Sequence, residues 1–189
     1  MPHIGDEETG IASWYGHPYH GRRASNGEIY DMDKLTAAHR TLPFGTMVQV
    51  ENLDNERTVT VRIIDRGPFV DGRVIDLSRA AAREIRMIGP GIARVRLRIT
   101  AVPQEEPGSY FAVQAGAFRD RGNADRRRQE LEKRYGKARV VLRNGDPPLW
   151  RVVVGHEETE TGAAALAQRV KAEVGPAFVV RVDPSETDL

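Results

Sequence analysis

The chain is 189 residues long, 40% hydrophobic and 29% charged, with 28 Lys+Arg against 27 Asp+Glu and no cysteine. That length suits one ordinary domain or two small ones, with enough apolar residues for a core. A net charge of +1, divided evenly between the two halves, argues against an electrostatic grip on nucleic acid or anionic lipid. The lack of cysteine excludes disulfides, a thiolate nucleophile and Cys-ligated zinc or iron–sulfur sites. No stretch approaches the ~20 apolar residues of a membrane span. The opening residues Met1–Glu8 lack the apolar run of a signal peptide. That leaves a cytosolic protein or a mature form whose address has been removed.

In chain order, a strand is expected at Thr9–Tyr15. Thr46–Glu51 and Arg57–Ile63 alternate polar and apolar residues about the turn-like Leu53–Glu56. They predict a hairpin with Val48, Val50, Val59, Val61 and Ile63 facing inward. Ser78 is placed to cap a helix running through Ala80, Ala81, Ala82 and Ile85. Arg94–Ile99 alternates three arginines with three aliphatics. Short strands with one helix over residues 9–101 predict a small closed barrel.

Residues 102–108, with two prolines and a glycine, break both periodicities and read as a linker. Beyond it, residues 109–183 predict a second domain. Strands are expected at Ser109–Ala115, Ala138–Leu142, Leu149–Val154 and Ala177–Val182, with a turn at Asn144–Pro148. Helices are expected at Arg121–Tyr135 and Ala163–Val174. This βαββαβ order is the split-βαβ arrangement, with two helices on one face of a four-stranded antiparallel sheet and the other face left for binding. RNA-recognition modules share that order. The Trp150–Val154 strand lacks their stacking aromatics, so no nucleic-acid partner is expected.

Polar residues of the first domain fall in tight clusters. Glu28 and Asp31 follow a glycine turn, His39 lies in Leu35–Gly45, Asp65 sits where a strand meets Gly67-Pro68, and Asp76 precedes Leu77-Ser78. Carboxylates at strand ends beside a histidine suit proton transfer to or from a sugar oxygen. Each also fits a structural role. Asp65 can cap a turn with Arg66 as its partner, Asp76 can cap the following helix, His39 can be a packed ring, and Glu28 and Asp31 can be loop carboxylates. Close metal-ligand spacing is missing, so no metal and no cofactor is expected.

Gly10–Gly16, Asn26–Asp31, Thr36–Thr46, Asp65–Phe69 and Gly72–Ser78 together resemble the rare lipoprotein A family. The resemblance implies a double-psi β-barrel, an architecture shared with expansins and one group of lytic transglycosylases. It also implies peptidoglycan glycan strands as substrate. Tyr110–Phe118, Asn123-Ala124 and Trp150–Gly155 resemble a SPOR domain, which implies binding of peptidoglycan stripped of stem peptides at the division septum. Ile64 departs from the pattern, standing where the family frequently has a polar residue. That withdraws polar support of Asp65 from that side.

The implied activity is endolytic transglycosylation of the MurNAc-β-1,4-GlcNAc bond to leave a 1,6-anhydro end. Asp65 is the expected acid/base, with Glu28, Asp31 and His39 assisting. Tyr15 and Arg66 are expected at the barrel's sugar surface, and Gln114, Phe118, Trp150 and Arg151 at that of the SPOR domain. The implied setting is the periplasmic side of a bacterial envelope, with the full-length protein an outer-membrane lipoprotein and a monomer. The lipid-modified cysteine and its signal peptide are not in this sequence, which fits a truncated mature domain pair. The rival expectation is a non-catalytic, expansin-like glycan-binding or wall-remodelling protein.

Overall fold

Alternating apolar residues build the barrel, as the hairpin pattern predicts. In the computed structural model, which describes residues 2–104, 107–143 and 148–184, the chain divides into two compact units, Met1–Glu105 and Glu106–Leu189. In the first unit β1 (Glu7–Tyr15), β2 (Thr36–Ala38), β3 (Met47–Asn52), β4 (Thr58–Asp65), β5 (Arg73–Ser78) and β6 (Ile92–Ala101) close a barrel in the order β1-β5-β2-β4-β3-β6. β3 and β4 form the expected hairpin, pairing Val48 with Val61 and Val50 with Val59. Val48, Val50, Val59, Val61 and Ile63 all enter the barrel core. Fully burying such a side chain stabilises the fold by roughly 1.5–3 kcal/mol. On β6, Val95, Leu97 and Ile99 point inward while Arg94, Arg96 and Arg98 stay exposed.

Two strands depart from the hairpin rule. β2 and β5 pair antiparallel with one another, while β1 pairs parallel with β5 and β2 parallel with β4. Parallel neighbours need long crossovers, and here these carry the loops that hold the chemistry-bearing residues. Both parallel ladders contain a register shift, at Ile11/Ala12 and at Ala37/Ala38. Helix α1 (Arg79–Glu84) starts as expected, with the Ser78 side chain accepting a hydrogen bond from Ala81 N at 3.2 Å.

The second unit runs β7 (Tyr110–Phe118), α2 (Arg121–Tyr135), β8 (Ala138–Arg143), β9 (Leu149–Glu157), α3 (Glu160–Val174) and β10 (Phe178–Val182). The four strands form an antiparallel sheet in the order β10-β7-β9-β8. The core between sheet and helices takes Val113, Ala115, Val152 and Val154 from the strands, and Ala124, Leu131 and Val170 from the helices. Asp120 and Thr159 cap α2 and α3, each accepting from a backbone N–H. Of the expected turn at Asn144–Pro148, residues 144–147 lie outside the described residues, as do 105–106 of the linker.

Gly155 shows how tightly α3 seats on β9. Its φ is +87°, and a Cβ there would lie 2.6 Å from Leu166 Cδ2. Gly155→Ala is therefore expected to destabilise this unit by about 1–3 kcal/mol, from overpacking added to left-handed backbone strain. A lowered urea midpoint for the second unit with an unchanged slope is the measurement that checks it.

Candidate active site

The barrel brings four residues of four strands into one transverse row. Ser13 pairs with Asp76, Asp76 with Ala38, and Ala38 with Asp65. The core takes Ala12, Ala37, Ile75 and Leu77, so alternation puts Ser13, Ala38 and Asp76 on the opposite, outward face. On β4 the register shift sets Ala37 against Ile63 but Ala38 against Asp65, which brings Asp65 into the row. Alanine at position 38 leaves little bulk between the two aspartates.

Asp65 is 2% exposed. Oδ1 accepts from Ser25 N at 3.0 Å, Ser25 Oγ at 2.5 Å and Arg66 N at 2.9 Å. Support thus comes from the Ser25 loop, and Ile64 turns away to pack with Ala24, Tyr30 and Met32. Arg66, expected at the sugar surface, instead has its side chain used inside the protein. It is 3% exposed, donates from Nη1 to the carbonyls of His39 and Leu42 at 3.1 and 2.8 Å, and lies 3.8 Å over the Phe44 ring. Gly67, at φ +140°, continues the turn where a Cβ would lie 3.6 Å from Asp76 Oδ2. The Asp65–Gly67 turn and Asp76 therefore face one another.

Asp76 is the residue that local sequence rules misread. It does not cap α1, because Ser78 does. Its Oδ1 instead accepts from Ser13 Oγ. Burial pushes the Asp76 carboxyl above its ordinary value, and the nearby Asp65 charge adds to that; the Ser13 hydrogen bond and the Arg73 charge oppose it without prevailing. Asp76 is also less enclosed than Asp65, being only partly buried by surface area. A carboxyl whose anion is disfavoured and that meets solvent is suited to donating a proton to a ligand.

His39 is 5% exposed, and both ring nitrogens are engaged. Nδ1 accepts from Thr41 N and Leu42 N, each at 3.2 Å, which assigns the proton to Nε2, 3.0 Å from Glu8 Oε2. The ring thus holds the 39–42 loop that in turn holds Arg66. Glu8 carries no signal in the sequence. Burial pushes its carboxyl up, but the hydrogen bond and electrostatic pull of His39, with Arg40, outweigh it and leave the group below its ordinary value.

Glu28 and Asp31 are not brought into the row. Glu28 accepts from Arg62 Nη1 and Nη2 at 2.6 and 2.8 Å and from Asn26 Nδ2 at 2.9 Å. The Arg62 hydrogen bonds, above all, hold its carboxyl below the ordinary value. Arg62 precedes Asp65 by three residues on β4, about 10 Å along the strand. Asp31 accepts from Asp33 N at 3.0 Å, an Asx turn that shapes the 31–34 loop. Tyr15 stacks on Tyr30 with 4.3 Å between ring centroids, and Tyr30 donates its hydroxyl to Tyr15 O at 2.6 Å.

In the second unit Phe118 and Trp150 are cross-strand partners that pack against the core beneath the helices, with Arg121 5.0 Å over the Trp150 ring. Gln114 and Arg151, expected on a sugar surface, are 4% and 3% exposed. Their strand positions alternate with the core residues Val113 and Val152, so they belong to the sheet face away from the helices. No cluster of three or more metal-ligating side chains exists among the described residues. Nor is any helix among them long and apolar enough to cross a membrane.

Comparison with known proteins matches residues 7–97 to a family described as lytic transglycolase and residues 107–181 to the SPOR domain. The chain is 52% identical over 171 residues to a Campylobacter jejuni protein named endolytic peptidoglycan transglycosylase RlpA, covering 89% of this chain and 56% of that one. A Helicobacter pylori protein of the same name is 39% identical over 180 residues, covering 95% and 53%. The chain thus spans about half the length of these curated relatives. Among solved structures, a Clavibacter michiganensis expansin aligns over 96% of this chain and 87% of its own at 17% identity and a TM-score of 0.42, too distant to add to the strand order above. With a double-psi β-barrel followed by a SPOR domain, and with these relatives over both, the chain belongs to the rare lipoprotein A (RlpA) family.

Proposed function

We propose that this chain is an endolytic lytic transglycosylase acting on peptidoglycan strands that have lost their stem peptides. It cuts the MurNAc-β-1,4-GlcNAc bond and leaves a 1,6-anhydroMurNAc end. The observation that carries this reading is the outward row of Ser13, Asp76, Ala38 and Asp65, which sets two carboxyl groups in different surroundings on one face. The names borne by the relatives support the same reading.

In this chemistry the C6 hydroxyl of the muramoyl residue attacks its own C1. The C1–O6 bond forms as the bond from C1 to the leaving oxygen breaks, and no water is consumed. The leaving oxygen needs a proton and the attacking hydroxyl must lose one, so one carboxyl group can serve both steps. Asp76, in place of the Asp65 expected from the sequence, fits that task, because burial disfavours its anion and its partial exposure lets a strand reach it. Asp65, fixed by three donors, supplies negative charge beside the positive charge that develops at C1. Glu28 lies along the strand as an anchored carboxylate, and His39 positions the loop behind Arg66.

Mass spectrometry of products from amidase-stripped and intact sacculi tests the reading. Anhydro-ended fragments are expected from stripped sacculi. Their absence from both, with glycan binding retained, makes the protein an expansin-like binder.

The SPOR domain is proposed to direct the enzyme to bare strands at the septum, on the periplasmic side of the envelope, with the full-length protein a monomeric outer-membrane lipoprotein. Residues 109–182 form a unit with its own core. This fragment alone is expected to pellet with stripped sacculi and to ignore peptide-bearing ones, since stem peptides would block a surface that reads sugars. Equal sedimentation with both substrates would show that this domain does not discriminate.

A further inference from the structure

Beside the row of carboxyl groups lies a pocket of about 420 Å³ whose walls include Trp14, Tyr15, Tyr19, Met32 and Arg79. Its place follows from β1. Tyr15 is two residues beyond Ser13 on the same outward face, about 7 Å along the strand, and it pairs with Ser78, which precedes Arg79. Tyr15 also packs with Ile64, the neighbour of Asp65. The pocket is therefore about one sugar away from Asp76.

The walls are aromatic, and His17 and the Arg79 guanidinium stand among them. Tyr19 is 40% exposed and meets the Tyr15 ring edge-on with centroids 5.8 Å apart. Flat, half-exposed rings suit the C–H faces of a pyranose. Arg79 gives Nε and Nη2 to Asp33 Oδ1. No hydrogen bond from its Nη1 joins any described residue. A guanidinium with an unspent amino group, at the wall of an aromatic pocket, selects a ligand that combines a sugar face with a carboxylate.

We infer that this pocket is the subsite for the muramoyl residue next to the scissile bond, and that Arg79 binds its free lactyl carboxylate. The inference rests on the function proposed above and deepens it. In peptide-bearing strands the lactyl carboxyl is an amide, neutral and substituted. In stripped strands it is a free anion. Arg79 thereby gives the barrel its own means of telling bare strands from peptide-bearing ones, independent of the SPOR domain.

The test is a binding measurement that needs no turnover. The chain has two tryptophans, Trp14 in the pocket and Trp150 in the other unit, so the Trp14 indole N–H resonance reports on the barrel alone. A GlcNAc–MurNAc disaccharide with a free lactyl carboxylate is titrated against the same disaccharide as its lactyl methylamide. The free acid is expected to shift the Trp14 resonance and to bind about tenfold more tightly than the amide, the scale of one charge-assisted hydrogen-bonded pair. Arg79→Gln should bind both equally. Asp33→Asn, which removes the competing carboxylate but leaves Arg79, should keep or sharpen the preference, so loss of the Arg79–Asp33 pair is separated from loss of the cation. Equal affinity of the unaltered protein for acid and amide, or a preference that survives Arg79→Gln, overturns the inference. If the disaccharide binds with this preference while no anhydro product is ever released, the subsite stands and the catalytic reading falls.

Discussion

Asp65→Asn is expected to cut the release of anhydro-ended fragments from stripped sacculi by about 10²-fold or more, the scale seen when preorganised electrostatic stabilisation is lost. The change is nearly isosteric, and an amide oxygen can still accept the hydrogen bonds from Ser25 N, Ser25 Oγ and Arg66 N that Oδ1 accepts now. What it removes is the charge. That charge contributes to holding the Asp76 carboxyl up, and it lies beside the position proposed for C1. The thermal transition of the barrel and sedimentation through the SPOR domain should therefore be unchanged. A well-folded Asp65→Asn protein with near-normal turnover would reduce Asp65 to a brace for the 25–28 loop. Glu28 would then be the next carboxylate to replace, despite its ties to Arg62.

Much of the fold is legible in the sequence because strict alternation survives wherever one strand face is buried and the other wet. The β3–β4 hairpin and β6 are such cases, with Val48, Val50, Val95 and Leu97 on the dry side. β2 and β5 are not legible. Thr36-Ala37-Ala38 is too short to alternate, and in β5 Val74 and Ile75 are consecutive buried residues in a strand with neighbours on both edges. That gap also hides the site. Asp76 reads as a helix cap because the local rule sees Asp-Leu-Ser, whereas its hydrogen-bond partner is Ser13, 63 residues earlier. Glu8 and its contact with His39, 31 residues away, are hidden for the same reason. The motifs of Glu28, His39 and Asp65 stand out in the sequence. Which carboxyl group keeps a proton depends on burial and cross-strand neighbours, which no local spacing encodes.

Asp76→Asn should therefore be the most damaging single change, lowering turnover by ~10²–10⁴-fold through loss of the transferable proton. The pH profile distinguishes this from mere structural damage. For the unaltered protein, turnover should fall as pH rises through the elevated Asp76 pKa, because the acid form is the working form. Residual activity of the Asp76→Asn variant should lack that limb. Stability carries a matching sign. A carboxyl whose pKa is raised in the folded state binds its proton more tightly there than when unfolded. Its contribution to folding is thus greatest below the ordinary carboxylate value and is lost as pH rises through the raised one. The amide of the variant has no proton to lose, so the unaltered protein should lose stability relative to the variant across that window and hold a constant difference above it. Urea titrations of both proteins at a series of pH values measure this directly. Ser13→Ala supplies the complementary shift: removing the hydroxyl that favours the Asp76 anion should move the limb of the turnover profile to higher pH. A limb that stays in place in Ser13→Ala, or that persists in Asp76→Asn, would mean that another group carries the proton.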